Sequence, residues 1–215
     1  MDGHMRPKLL VFASGTKNGG GSGFRHLVTA AKEGVLRADI VGVVSNHEHG
    51  GVMRHAKQFG VPFIFFPGPY DAAHYQALVE KTGATHVALS GWLKLVHGLD
   101  PKTTFNIHPG PLPEFGGTGL YGHHVHEAVL KAYHEGRITH SAVSMHFVTE
   151  RFDEGPVFFS HPVPIEPLDT PETLGRRVQE TEHMWQAKIT DKVVQGEVSW
   201  DGKDPKTLAG STLDT

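Results

Sequence analysis

The 215-residue sequence contains no cysteine, which excludes a disulfide framework, a thiolate nucleophile and a Cys-built metal site. It also lacks an excess of positive charge. Lys and Arg total 20 against 23 for Asp and Glu, a formal net charge of −3, so no broad field exists to grip a phosphate backbone, and a nucleic-acid partner is not expected. Long hydrophobic runs are missing as well. The longest, Val61–Phe66, falls far short of the ~20 residues that cross a bilayer. No charged-then-apolar leader opens the chain, and Met1–Met5 (MDGHM) resembles a cloning remnant. These absences predict a soluble, cytoplasmic protein with no membrane partner. At ~150 residues per domain the length suits one domain or slightly more. The expected organisation is a single domain over residues 8–200, a lead-in over 1–7, and a polar tail over 201–215 with too little apolar surface to order strongly.

What is present is alternation. Lys8–Ala13 (KLLVFA), Asp39–Ser45 (DIVGVVS), Val61–Phe66 and Thr85–Ser90 (THVALS) read as apolar strands. Between them, Phe24–Gly34, Val52–Phe59 and Tyr70–Gly83 carry helical spacing, the last with Asp71 as its cap. Continuous apolar strands alternating with helices predict a doubly wound, mostly parallel α/β sheet covered on both faces. A fifth strand, Thr104–Ile107, runs into His108–Gly119, whose three prolines and four glycines no regular element absorbs. After a helix at Tyr121–Tyr133, the β-rich runs His140–Thr149 and Val157–Pro162 flank the turn-like Arg151–Pro156 and predict an antiparallel extension. The longest helical pattern, Thr170–Gln195, opens with Thr170 as cap and Pro171 at the first helical position.

Two segments carry chemistry. Ser14–Gly23 (SGTKNGGGSG) places five glycines between the first strand and the first helix, where backbone N–H groups and the helix dipole receive an anion. Phosphate is the expected ligand, at Gly20, Gly21, Ser22 and Gly23. A Walker A loop is excluded because Gly21–Ser22 stand where Lys and Ser or Thr are required, and no G-x-G-x-x-G triplet for a dinucleotide fits. In the second segment, Asn106-Ile107-His108 sets two polar side chains two residues apart at a strand end, where open α/β sheets bind ligands. A carboxamide donates to a developing oxyanion, and an imidazole donates or shuttles a proton, which suits acyl-type transfer. The same pair also fits a turn-capping amide and an ordinary loop histidine among 17.

Asn106-Ile107-His108-Pro109-Gly110-Pro111-Leu112-Pro113 resembles the N-x-H-P-S-L-L-P signature of the folate-dependent formyltransferases. Three further elements follow the family pattern: Leu89-Ser90-Gly91-Trp92-Leu93, Phe152-Asp153-Glu154-Gly155-Pro156-Val157, and Arg177-Val178 with Glu182-His183. The resemblance runs from about Lys8 to Trp200. It implies a Rossmann-like formyltransferase fold and an enzyme that uses 10-formyltetrahydrofolate as cosubstrate without a metal. The acceptor it implies is the amine of glycinamide ribonucleotide, in purine biosynthesis. Asn106, His108 and Asp153 become the catalytic trio, with Asp153 raising the His108 pKa so that a protonated ring and the Asn106 amide stabilise the formyl oxyanion. The glycine-rich loop takes the phosphate and Glu182 the ribose hydroxyls. The folate lies against Leu93, Lys94, Leu95 and Val96 and the loop bearing Thr149 and Phe152. The resemblance leaves monomer and homodimer both open. Its rival readings are hydrolysis of the formyl-folate, formyl transfer to a nucleotide sugar, and a non-catalytic folate-binding module.

The chain departs from the pattern in places. Gly23 stands where an asparagine is expected, Gly110–Pro111 replaces serine-leucine, and Trp185–Gln186 replaces a tyrosine-proline. His123, His124 and His126 sit beside Glu127, but no third ligand at metal spacing follows, so no metal is expected. Trp92, Trp185 and Trp200 read as packing residues rather than stacking platforms.

Overall fold

The computed structural model describes residues 5–213, so most of the Met1–Met5 remnant and the last two tail residues lie outside the described residues. The described strands are β1 Lys8–Phe12, β2 Asp39–Ser45, β3 Phe63–Phe65, β4 His86–Ser90, β5 Thr104–His108, β6 His140–Phe147, β7 Val157–Pro164 and β8 Thr212–Leu213. They form one sheet in the order β3-β2-β1-β4-β5-β6-β7-β8. The first five strands run parallel, and β6 is antiparallel to both β5 and β7. The helices are α1 Ser22–Lys32, α2 Gly51–Phe59, α3 Ala72–Thr82, α4 His123–His134 and α5 Pro171–Val194. The expected parallel sheet with an antiparallel extension is therefore present.

Burial on both faces explains why the strands read as unbroken apolar runs. Leu9 and Val11 of β1 pack with Phe24, Leu27, Val52, Val125 and Leu174 from α1, α2, α4 and α5. The alternate residues Leu10 and Phe12 pack with Tyr75 of α3 and with Trp92 on the opposite face. Local chemistry sets the helix starts. Asp71 accepts from the His74 N–H at α3, while Thr170 and Thr173 form a reciprocal capping box at α5, followed by Pro171. Arg177 then makes paired bonds of 2.6 and 3.0 Å to Asp169, tying the first turns of α5 to the loop before it.

The tail carries more regular structure than its composition predicts. Ser199 and Ala209 exchange backbone hydrogen bonds, Pro205–Thr207 forms a 3₁₀ turn, and β8 extends the sheet beside β7. Backbone pairing, side-chain bonds of Asp201, Asp204 and Thr207, and Leu208 packed against the core hold this segment. No described helix is long and apolar enough to cross a membrane.

Strand order positions the site. Connections leave β1 toward β2 on one side and β4 toward β5 on the other, so a crevice opens beyond the carboxyl ends of β1, β4 and β5. Both sequence-predicted segments emerge there.

Candidate active site

Asn106 and His108 lie two residues apart on β5, in register with His146 and Ser144 of β6. Both reach the same carboxylate. Asn106 Nδ2 lies 3.3 Å from Asp153 Oδ1, and His108 Nδ1 lies 3.7 Å from Asp153 Oδ2. Asp153 comes from the turn between β6 and β7 and adopts φ 55, the one positive φ at a non-glycine among the described residues. Aspartate tolerates that region, and such strain persists where surrounding contacts enforce it. Two glycines make the approach possible. A Cβ on Gly155 would overlap the Phe147 carbonyl oxygen, and one on Gly116 would sit 2.9 Å from Asp153 Cβ. The Gly117 N–H donates to Asp153 Oδ2 at 3.1 Å.

A fourth polar side chain completes the cluster. His146, 2% exposed, places Nε2 3.1 Å from Asn106 Nδ2 and 3.3 Å from Asp153 Oδ1. Its Nδ1–H donates to the Phe147 carbonyl at 2.8 Å, and Nε2 faces both the Asn106 amide and the Asp153 carboxylate. His108 uses the opposite nitrogen: Nε2–H donates to the Phe115 carbonyl at 2.8 Å, so Nδ1 carries the lone pair toward Asp153. At His108 burial is set against the expected upward pull of Asp153. Burial of the ring, 3% exposed, pushes its pKa below the ordinary histidine value, and the Asp153 charge and Phe115 bond oppose the shift without overcoming it. Burial likewise pushes the Asp153 carboxyl up. The His146 contact, the neighbouring His108 ring and the Gly117 N–H outweigh it and hold the carboxyl below its usual range. The two shifts favour a neutral imidazole beside an ionised carboxylate.

The other end of the crevice is built from backbone. Gly20 and Gly21 both adopt left-handed geometry, at φ 79 and 82, and Gly21 starts α1 with no side chain capping it. The first N–H groups of α1 therefore stay available to an anion. Glu182 of α5 faces the same space. Burial pushes its carboxyl up to about 7, and no hydrogen bond or ion pair to it is found among the described residues. Beside it, His183 stacks on His26 with centroids 3.8 Å apart, and burial with the neighbouring positive groups lowers His183 to about 4. Gln179, which the sequence did not single out, bridges α5 to α1 through a 3.3 Å bond from Nε2 to Ser22 Oγ.

One cleft of about 470 Å³ joins these parts, a volume suited to small-molecule binding. Gly20, Gly21, Ser22, Gly23, Glu182, Asn106, His108, Asp153, Leu93 and Phe152 all line it. The remaining residues predicted for folate do not. Val96 is buried in the α3-side core, and with Thr149 it borders a separate small cavity. The Leu95 carbonyl accepts from Tyr75 Oη at 3.0 Å, and Lys94 Nζ sits 5.5 Å from the centre of the Tyr70 ring. The segment turns toward α3 after Leu93, so of the residues expected to meet folate only Leu93 and Phe152 line this cleft.

The secondary motifs resolve as packing. Trp92 and Trp200 are 7% exposed, and their indole N–H groups donate to Tyr75 Oη and the Asp204 carbonyl. Trp185 packs 5.5 Å from the Phe159 ring. His123 and His124 pair with Glu127 on the exposed face of α4, while His126 is buried and lowered to about 4 by burial and nearby imidazoles. Among the described residues no three His, Asp or Glu side chains group as metal ligands.

Comparison with known proteins agrees with this geometry. The formyl transferase family profile matches residues 7–190. A chloroplastic phosphoribosylglycinamide formyltransferase of Arabidopsis thaliana is 36% identical over 206 residues, covering 91% of this chain and 68% of that protein. The Bacillus subtilis phosphoribosylglycinamide formyltransferase is 30% identical over 197 residues, covering 87% and 94%. The chain spans about two thirds of the plant relatives and nearly all of the bacterial one. Among solved structures, glycinamide ribonucleotide transformylase 1 from Symbiobacterium toebii superposes with a TM-score of 0.79 at 27% identity, covering 99% of this chain and 96% of that one.

Proposed function

Because the chain belongs to the formyl transferase family, we propose that it moves a formyl group from 10-formyltetrahydrofolate to the amine of glycinamide ribonucleotide, in purine biosynthesis. The observation that carries this reading is the single cleft in which an uncapped glycine-rich helix start and a buried Asn-His-Asp cluster face the same space. The acceptor phosphate sits on the N–H groups of Ser22, Gly23 and their neighbours, and its ribose hydroxyls donate to Glu182. Its amine then reaches the trio. The formyl-folate enters along Leu93 and Phe152.

The amine nitrogen attacks the formyl carbon, a new C–N bond forms, and the carbonyl electrons move onto oxygen. Two donors meet that oxygen. The Asn106 N–H held by Asp153 at 3.3 Å is the longer of its two bonds, and it is the one that transfers to the oxyanion. Asp153 and the free Nδ1 of His108 receive the proton that the attacking nitrogen sheds. Protonated in this way, His108 stabilises the oxyanion and returns the proton to folate N10 as the C–N10 bond breaks. The products are tetrahydrofolate and the formylated amide. A neutral resting imidazole suits this sequence better than a permanently charged one, because it starts as a base.

A chain without cysteine fits a reducing compartment, and the cytoplasm is our reading for it. The function is tested by following 10-formyltetrahydrofolate consumption with glycinamide ribonucleotide, with a nucleotide sugar, and with water alone. Consumption that depends on glycinamide ribonucleotide supports the reading. Equal deformylation with and without an acceptor overturns it in favour of hydrolysis.

A further inference from the structure

Gly23, Ser90 and Gln186 come from α1, β4 and α5 and meet on the wall of the cleft. Gln186 is 2% exposed, and its Nε2 donates to Ser90 Oγ at 2.9 Å. Gly23 has ordinary helical geometry, so its missing side chain serves space rather than backbone freedom. A Cβ there would overlap Ser90 Oγ and lie 3.0 Å from Gln186 Oε1. The two departures from the family pattern, Gly23 and Gln186, are thus one feature. The glycine leaves room for a hydroxyl, and the glutamine aims it.

Location gives the hydroxyl a task. In the order β1-β4-β5, the loop after β1 faces the phosphate and the trio lies on β5, so the end of β4 stands between them. Ser90 is in register with Ile107, the residue between Asn106 and His108. Its oxygen accepts from Gln186, and no acceptor for its own O–H is found among the described residues, so that hydrogen points its donor capacity at the cleft. We propose that Ser90 binds the acceptor substrate by donating to the amide carbonyl that links the ribose to the reacting amine, with Gln186 as the residue that positions it. This assignment rests on the glycinamide ribonucleotide reading above.

The test is steady-state kinetics of Ser90→Ala, Gln186→Met and the double variant, with melting temperatures alongside. Loss of one neutral hydrogen bond to ligand predicts an acceptor KM about tenfold higher for Ser90→Ala, with kcat and the folate KM unchanged. Gln186→Met raises the acceptor KM less, and adds nothing in the Ser90→Ala background. Gly23→Ala lowers the melting temperature in the parent protein and lowers it less in the Ser90→Ala background, where the overlapping oxygen is gone and the 3.0 Å approach to Gln186 Oε1 remains. An unchanged acceptor KM with lowered melting temperatures means a merely structural pair and overturns the proposal. A parent enzyme that turns over no glycinamide ribonucleotide overturns the underlying reading instead, and this assignment with it.

Discussion

At the β1 end of the cleft the working groups are backbone N–H donors exposed by Gly20 and Gly21, with no side chain capping α1, whereas at the β5 end they are side chains clamped between paired strands. Under the proposed function the first end recognises charge and tolerates side-chain change, provided the glycines keep their left-handed geometry. The second holds three side chains around one carboxylate, within 3.3–3.7 Å, and a change of a single atom alters its proton inventory. Under the proposed function, one end binds and the other reacts. Substitutions should therefore separate into those that raise the acceptor KM and those that lower kcat.

The largest effect belongs to the reacting end. Asn106→Ala and Asp153→Asn are expected to lower kcat by about 10²–10³-fold, the usual cost of losing a preorganised oxyanion donor or its proton partner. The acceptor KM should stay within a few-fold of the parent value, and the fold should persist by circular dichroism. Normal turnover in either variant would dissolve the contrast between the two ends.

Gly21→Ala comes next and acts at the binding end. At φ 82 an alanine is strained, and its Cβ would lie 2.9–3.2 Å from Val52, so a stability loss of about 1–2 kcal/mol is expected. The acceptor KM should rise about tenfold with kcat changed far less, measured at saturating folate.

Glu182 sharpens the comparison through pH. Its folded carboxyl is raised to about 7 by burial, so it favours the protonated form. That contribution to stability is complete below the ordinary carboxylate range and is lost as pH rises through about 7. Glu182→Gln should therefore stabilise the free protein at pH 8 by about 2–3 kcal/mol and hardly at all at pH 4, read from denaturant titrations. Ribose hydroxyls donate best to the ionised form, so the parent acceptor KM should climb as pH falls below 7, and the variant should show no such dependence. The smallest effect is Ser22→Ala. If backbone groups carry the anion, its acceptor KM moves by about two- to threefold. A tenfold rise would shift the weight to the hydroxyl.

Much of this was legible in the sequence because it depends on local signals. Apolar runs two-sided in burial gave the parallel strands, Asp71 and Thr170–Pro171 marked helix starts, and the glycine cluster marked a loop that lines the cleft. The trio followed from the resemblance, and the β5 spacing explains why Asn106 and His108 share a side. Non-local pairing hid the rest. His146 becomes part of the site only once β6 lies antiparallel to β5, and Gln179 and Gln186 only once α5 packs on α1. Nor does a sequence weigh burial against a neighbouring charge, which is why His108 reads as protonated from its partner and neutral from its surroundings. Pairing of Ser199 with Ala209 across the tail is likewise non-local and leaves no mark in composition.

The central claim is that one acceptor molecule spans both ends of the cleft. A crystal structure of the protein with glycinamide ribonucleotide tests it most directly. The account predicts the phosphate on the N–H groups at the start of α1, the ribose on Glu182, and the amine beside Asn106, His108 and Asp153. A phosphate bound elsewhere, or an amine held away from those three side chains, would contradict it.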